Sequence, residues 1–243
     1  MHITIANLTT TLDAAKLQSV VRAVAQQVRE DFEPEWGRTA TLASVTTNLK
    51  DGKLAPVQGL RSALIYVGDS HADPTTGVSG AFGYHDDTHR GVPYGFIYLD
   101  VCKQYGEDWT VTLSHEVLEL LADPDAARAI TGPAPGGGKG LAHYDLEVCD
   151  PTQGDTYEIG GVHVSNFVGR AYFGLRGGSG KTNFLDLELA PFGVRPGGYF
   201  QYAAADGRRH QVDGPDAERR KAAKKAIEHV RRTTQRERRL SGS

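Results

Sequence analysis

Apolar residues recur at helical spacing near the start of the chain, over residues 12–31. An interval of three or four residues places side chains on one face of an α-helix, so this pattern predicts an amphipathic helix. The apolar positions are Leu17, Val20, Val21, Val24 and Val28.

Four short segments that follow have the pattern of β-strands: residues 39–46, 63–67, 80–85 and 94–101. Short apolar or β-branched runs bounded by Gly, Asp and Pro are typical of strands. The glycines of residues 80–85 favour an edge strand or a close approach of another backbone. The polar residues 86–93 predict a turn between the last two strands.

A second helix is predicted over residues 109–122, where apolar residues again recur at helical spacing. Asp108 can cap its N-terminus, and Pro124 marks its end. Because the strands come before this helix, we expect an α+β fold in which the helix packs against a mixed sheet.

The pattern is weaker in the second half of the chain. Residues 132–140 are rich in glycine and proline and predict a flexible connection. The apolar spacing of residues 141–149 fits a short helix, with a strand as the open alternative. Residues 156–168 predict a hairpin that turns at a pair of glycines, and the segment from there to Ala205 predicts no definite element.

Composition and charge divide the chain into a body and a basic tail. The 243 residues, 39% hydrophobic, are enough for one sizeable core. Ten Lys or Arg and four Asp or Glu follow from Pro215 onward, which leaves seventeen basic and twenty-six acidic residues before it. We therefore expect one domain over residues 1–205 and a basic helix or tail over residues 206–243.

The cellular location is expected to be the cytoplasm. The first residues have neither a basic segment nor an uninterrupted apolar run, so they do not form a secretory signal. No stretch has the roughly 18 apolar residues of a membrane helix. Two cysteines, Cys102 and Cys149, are too few for a disulfide scaffold.

The candidate chemistry lies on the predicted helix over residues 109–122, in His115, Glu116 and Glu119. Positions i and i+4 of a helix lie about 40° apart around its axis, so His115 and Glu119 point the same way. Glu116 can reach the same space from the side. An imidazole and two carboxylates on an otherwise apolar helix need compensation, and a divalent metal would provide it.

The segment over residues 113–119 resembles the active-site helix of the zincin metallopeptidases, whose pattern is His-Glu-x-x-His. The resemblance implies that His115 binds zinc, that Glu116 is the general base, and that residues 80–84 form an edge strand that binds substrate. Glu119 replaces the second histidine. A carboxylate is a legitimate zinc ligand, although it lowers the Lewis acidity of the metal, and another divalent ion is possible.

The third ligand should come from residues 146–151, because the gluzincin branch of that family takes a glutamate from a later segment. Glu147 is the preferred ligand and Asp150 the alternative. In a helix these two residues would share a face at i, i+3, whereas in a strand Glu147 would pair with Cys149. The two motifs together also resemble an uncharacterised group of bacterial proteins, which implies one shared site and no particular activity.

The function predicted from these residues is hydrolysis of peptide or amide bonds, with a peptide or protein as substrate. The rival hypothesis is a catalytically inactive protein that keeps a zincin-like fold and acts through its surface or its basic tail. That tail lacks interleaved aromatic residues, so a solvated helix is favoured over a nucleic-acid contact. The sequence leaves the oligomeric state open.

Several other residues are weaker candidates. His85 and His89 flank two aspartates and could hold an accessory metal, but a polar surface turn is the favoured interpretation. Cys149 is interpreted as a small buried residue rather than a metal thiolate. Asp123 could support the site or be a helix-end charge without a role. The residues that could assist catalysis if they folded near the metal are His143, His163, Tyr157 and Tyr199.

A glycine-rich segment, residues 177–182, resembles a phosphate-binding P-loop. The P-loop pattern requires glycine where this chain has Leu175, and a helix must follow so that its N-terminus meets the phosphate. Residues 183–189 alternate like a strand instead. We therefore reject the P-loop and expect a tight glycine turn.

Overall fold

The computed structural model describes residues 1–46, 62–72, 82–87 and 91–215. The strands are β1 (His2–Asn7), β2 (Thr41–Thr46), β3 (Ser62–Gly68), β4 (Gly83–Asp87), β5 (Pro93–Tyr98), β6 (Ala129–Pro133), β7 (Leu141–Asp145), β8 (Thr156–Ile159), β9 (Val162–Ser165), β10 (Tyr199–Ala203) and β11 (Arg209–Asp213). The helices are α1 (Ala14–Gln27), α2 (Glu33–Trp36), α3 (Leu99–Tyr105) and α4 (Trp109–Ala122). A π-helical turn, Val28–Phe32, joins α1 to α2, and 3₁₀ turns occur at Ser70–Ala72, Pro135–Gly137, Asp150–Thr152 and Arg170–Phe173.

A five-stranded mixed sheet in the order β2-β1-β3-β5-β4 forms the first half of the fold. Strands β2, β1, β3 and β5 run parallel, and β4 pairs antiparallel with β5 at one end of the sheet. Helices and a mixed sheet in one chain confirm the predicted α+β class.

The central strands β3 and β5 are buried on both faces, as expected where parallel strands are covered by helices. Along β3, Ile65 and Val67 pack into the main core with α1 and α4, while Leu64 and Tyr66 pack on the opposite face against the residues of α3. This alternation follows from the two-residue period of a strand. The main core therefore lies between the sheet and helices α1 and α4.

Helix α4 is buried along its whole length from Thr110 to Ala122. It lies between the β4 and β5 end of the sheet and the β8–β9 hairpin. A helix that is buried on every side has no solvated face. The polar side chains of α4 are therefore inside the protein rather than on the edge of an amphipathic helix.

The second half of the chain forms a four-stranded antiparallel sheet, in the order β11-β10-β7-β6, and the β8–β9 hairpin. The hairpin turns at Gly160 and Gly161, as predicted. The domain boundary expected after Ala205 falls between β10 and β11. Because these two strands pair over their full length, residues 209–213 belong to the sheet, and residues 204–208 connect the two strands.

Helix α4 begins and ends at the predicted residues, with Asp108 as the N-cap that accepts a hydrogen bond from the Thr110 amide. The helix predicted over residues 12–31 is confirmed as α1 and the π-helical turn. The strands predicted over residues 39–46 and 63–67 are confirmed as β2 and β3.

Two predictions near the sheet need correction. The strand predicted over residues 94–101 ends at Tyr98, where α3 begins, so Val101 is helical. The strand predicted from Gly80 is described from Gly83 onward and continues to Asp87, beyond the predicted end at His85. Gly80 and Ala81 lie outside the described residues.

Of the two alternatives for residues 141–149, the favoured helix is wrong, and the strand is confirmed for residues 141–145. Residues 141–145 form strand β7, in which exposed Leu141 and His143 alternate with buried Ala142 and Tyr144. Apolar residues three positions apart suggested a helix, but the observed period is two. Residues 146–149 then lead without a helix into the 3₁₀ turn at Asp150–Thr152.

Two further segments differ from the prediction. Residues 132 and 133 of the expected flexible connection belong to β6, which pairs with β7. The strand-like residues 183–189 form no strand, and Asn183 makes only an isolated bridge to Val168.

In the ranges that the structure describes, no helix is both long and apolar enough to cross a bilayer. The basic segment after Pro215 lies outside these ranges.

Candidate metal centre

His115 and Glu119 lie one turn apart on α4 and face each other. The Nε2 atom of His115 is 3.0 Å from Oε2 of Glu119. Both residues are buried, at 5% and 3% exposure. The i, i+4 spacing of the sequence thus places an imidazole and a carboxylate together inside the protein.

Asp150 joins this pair from the turn after β7. Its Oδ1 atom is 3.3 Å from His115 Nε2, so that nitrogen lies between two carboxylates. The backbone amides of Cys149 and Asp150 donate hydrogen bonds to Glu119 Oε1, at 3.1 and 3.3 Å. The turn is therefore attached to α4 through the same glutamate that faces His115.

Glu147 lies near Glu119, on which it converges with His85 rather than with His115. Its carboxylate, one nitrogen of His85 and the Glu119 carboxylate have ligand atoms within 4.8 Å of one another. Glu147 and Asp150 do not share a helical face, because residues 146–149 are not helical. The chain around the turn brings both acids near Glu119.

His85 is a site residue that the sequence interpretation placed on a surface turn. It is 1% exposed on edge strand β4, and its Nδ1 atom is 3.2 Å from Glu116 Oε2 and 4.0 Å from Glu119 Oε2. The sequence contains one signal for the burial of His85: residues 83 and 85 share one face of a strand. A Cβ added to Gly83 would meet Thr112 of α4, so this face of β4 is directed at the helix. His89 lies outside the described residues.

Burial and mutual repulsion among the carboxylates change the proton affinities of the cluster. Burial raises the pKa of Glu119 to about 8, with the charges of Asp150 and Glu147 adding to the shift. Burial lowers the pKa of His85, but the Glu116 hydrogen bond and nearby carboxylates outweigh it and raise that pKa to about 9. The pKa of His115 is raised well above its usual value by Glu119 and Asp150, against the effect of burial. The cluster therefore holds protons that a bound cation would displace.

The cluster forms one wall of a cleft. Edge strand β4 and the residue before it contribute Phe82, Gly83 and Tyr84, and strand β10 contributes Tyr199 and Gln201. The remaining lining residues are Glu107, Val111, Thr112, His115, Glu116, Glu119, Glu147, Asp150 and Gln153. A ligand in this cleft would contact the edge strand and the carboxylates together.

Two of the weaker candidates are close to the cluster. Cys149 is fully buried, and its Sγ atom lies within 4.8 Å of ligand atoms of His115 and Glu119. Burial raises the pKa of this thiol well above its usual value, which favours a thiol over a thiolate. Cys102 and Cys149 are both free cysteines. Tyr199 lines the cleft.

The other weaker candidates have different partners. Asp123 accepts a hydrogen bond from the Arg128 amide at 2.6 Å, which fixes the chain after α4. Tyr157 donates to Asp31 and accepts from the Gln27 amide. His143 is exposed on β7 beside Thr131, and the exposed His163 does not line the cleft.

The structure is consistent with rejection of the P-loop. Residues 177–182 form turns, and the next residues are not helical. The amide of Ser179 donates to the buried carboxylate of Glu35 at 2.6 Å. This loop therefore surrounds an internal carboxylate.

Comparison of the chain with models of known protein families, with curated proteins and with solved structures finds no match.

Proposed function

We propose that this protein is a metal-dependent hydrolase of peptide or amide bonds, with a divalent cation held by His115, Glu119 and Asp150. The observation that supports it most is the position of His115 Nε2, 3.0 Å from one carboxylate oxygen and 3.3 Å from another. Neutral imidazole and carboxylate are the ligand types that zinc prefers alongside thiolate, and three protein ligands leave a position for water or substrate.

The donor set fits a cation for a further reason. Buried carboxylates are found paired or bound to a metal, because leaving them uncompensated inside a protein is costly. Glu119 and Asp150 are buried against the same histidine nitrogen. When bound, a divalent cation would supply Lewis acidity, which lowers the pKa of water and polarises a carbonyl group.

Glu116 is proposed as the general base. Its position one residue after His115 directs its carboxylate into the same cleft, and Oε2 is 3.2 Å from His85 Nδ1. This contact orients the Glu116 carboxylate. Oε1 or Oε2 of Glu116 would accept a proton from the attacking water and return it to the leaving amine.

Edge strand β4 is proposed to bind the substrate backbone. Among the strands of the described residues it is the last in the sheet order, and it lines the cleft with Gly83 and Tyr84. An extended peptide that adds to a sheet edge is held by main-chain hydrogen bonds. An antiparallel edge strand beside a helix with the His-Glu pair is the zincin-like feature of this proposal.

The cytoplasmic location is likewise proposed, since free cysteines are usual in a reducing compartment.

The test is Glu116→Gln in the full chain, purified without a polyhistidine tag and loaded with Zn²⁺. Hydrolysis of a peptide library should fall about 10²–10⁴-fold, while bound zinc measured by mass spectrometry stays as in the unsubstituted protein. Glu158→Gln, a change of the same type at an exposed position of β8, is the control and should retain activity.

Undiminished hydrolysis in Glu116→Gln would remove this residue from the mechanism. Absence of hydrolysis in the zinc-loaded unsubstituted protein, across the library, would contradict the proposed function and favour a non-catalytic binding protein.

A further inference from the structure

Two groups of ligand atoms meet at one carboxylate. His115, Glu119 and Cys149 form one group, and His85, Glu119 and Glu147 form the other, each with ligand atoms within 4.8 Å of one another. The first group lies on the Asp150 side of Glu119, because Asp150 Oδ1 is 3.3 Å from His115 Nε2. Glu119 belongs to both groups.

The position of Glu119 is that of a bridging ligand. Its Oε2 atom is 3.0 Å from His115 Nε2 and 4.0 Å from His85 Nδ1, so it lies between two histidines from different elements. Its Oε1 atom is fixed by two backbone amides of the turn before Asp150. The carboxylate is therefore held in place while one of its oxygens faces both histidines.

The charges of the cluster match two cations better than one. Four carboxylates, Glu116, Glu119, Glu147 and Asp150, line the same part of the cleft, and Glu147 is the only half-buried one of these four. One divalent cation offsets two of these four negative charges, and protonated His85 beside Glu116 offsets a third. Two divalent cations, with both histidines neutral as ligands, offset all four, and a buried site strongly favours such compensation.

We infer that the site binds two divalent cations that share the Glu119 carboxylate. The first is held by His115 and Asp150, as in the proposed function, on which this part of the inference rests. The second is held by His85 and Glu147. Mixed imidazole and carboxylate donors suit Zn²⁺ or Mn²⁺, and shared carboxylates occur in two-metal sites whose ions lie about 3.5–4 Å apart.

The stoichiometry of metal binding tests this inference without reference to activity. The untagged full chain is stripped with a chelator, titrated with Zn²⁺ by calorimetry, desalted and analysed for bound zinc. We expect two equivalents in the unsubstituted protein. His85→Asn and Glu147→Gln, which remove the second site from different elements, should each bind one.

His143→Asn is the matched control, because His143 is exposed on β7, and this variant should keep two equivalents. Thermal unfolding of each variant shows whether it is folded, and Glu147→Gln tests the second site if the buried His85 substitution does not fold. A spectroscopic readout needs no variant: two Mn²⁺ ions that share a carboxylate give an exchange-coupled electron paramagnetic resonance spectrum, whereas isolated ions do not.

The outcomes separate this inference from the proposed function. One equivalent in the unsubstituted protein, together with hydrolysis, overturns the second cation and leaves the hydrolase proposal standing. Two equivalents without hydrolysis support the paired site and overturn the hydrolase. Two equivalents that persist in both folded variants overturn the assignment of the second cation to His85 and Glu147.

Discussion

Gln27 uses both polar atoms of its amide to connect three elements of the core. Its Oε1 accepts from the hydroxyl of Ser114 on α4, and its Nε2 donates to the Ser165 carbonyl and the Tyr157 hydroxyl of the hairpin. Ser114 in turn accepts from the Ser165 amide. Because Ser114 directly precedes His115, this network fixes the α4 backbone at the candidate metal centre.

Gln27→Ala should therefore reduce stability. The change leaves the Ser165 carbonyl and the Ser114 hydroxyl without their buried partner, and we expect a loss of about 2–4 kcal/mol in the free energy of unfolding. Urea denaturation measures this loss. Gln26→Ala is the neighbouring control on α1, because exposed Gln26 bonds only to exposed Glu30 among the contacts described, and it should change stability by less than about 0.5 kcal/mol.

Equal effects of the two substitutions would show that the buried amide network contributes nothing specific to the packing of α1 against α4.

At the scale of elements, the glycine-rich loop after the 3₁₀ turn at Arg170–Phe173 is organised by one carboxylate. Glu35 of α2 is buried and accepts from the Arg170 amide at 2.8 Å and from the Ser179 amide at 2.6 Å. Gly178 has a φ of 70°, and a Cβ at this position would overlap Glu35 Oε1. The loop thus resembles an anion-binding loop because it binds an anion of its own chain.

Gly178→Ala and Gly180→Ala form a matched pair that tests this role of Glu35. Both positions have positive φ, and the Gly180 position has no neighbour within 4 Å of an added Cβ. Backbone strain alone should cost Gly180→Ala about 1 kcal/mol. Gly178→Ala should cost about 2 kcal/mol more, because it also displaces the Glu35 carboxylate.

Thermal or urea unfolding of the two variants gives the comparison. If Gly178→Ala is no less stable than Gly180→Ala, the Glu35 carboxylate does not hold this loop.

At the scale of the whole molecule, the candidate site depends on elements that are far apart in sequence. Helix α4 supplies His115 and Glu119, the turn after β7 supplies Asp150, and edge strand β4 supplies His85. The β8–β9 hairpin packs against the other side of α4 and keeps the helix buried. The site therefore exists only when both halves of the chain are folded together.

This arrangement explains what the sequence could predict. The convergence of His115 and Glu119 is set by helix geometry within five residues, and a capping Asp108 with Pro124 fixed the helix ends. The approach of Asp150 depends on a turn after β7, and no local pattern sets the direction of that turn. The sequence therefore identified two candidate acids and preferred Glu147, whereas Asp150 is the acid that lies 3.3 Å from His115 Nε2.

His85 shows the opposite difficulty. Two aspartates and further polar residues follow His85 in the sequence, so the local composition favoured a surface turn. Its burial comes from the pairing of β4 with β5 and from the contact of β4 with α4, which are both tertiary effects. The face that it shares with Gly83 was the available local signal.

Anomalous diffraction at the zinc edge, from crystals grown with Zn²⁺, tests most directly whether these separate elements hold a cation. We expect a peak within about 2.0–2.2 Å of His115 Nε2 and of one oxygen each from Glu119 and Asp150. Zinc found only at other positions, while these three side chains contact one another and solvent, would contradict it.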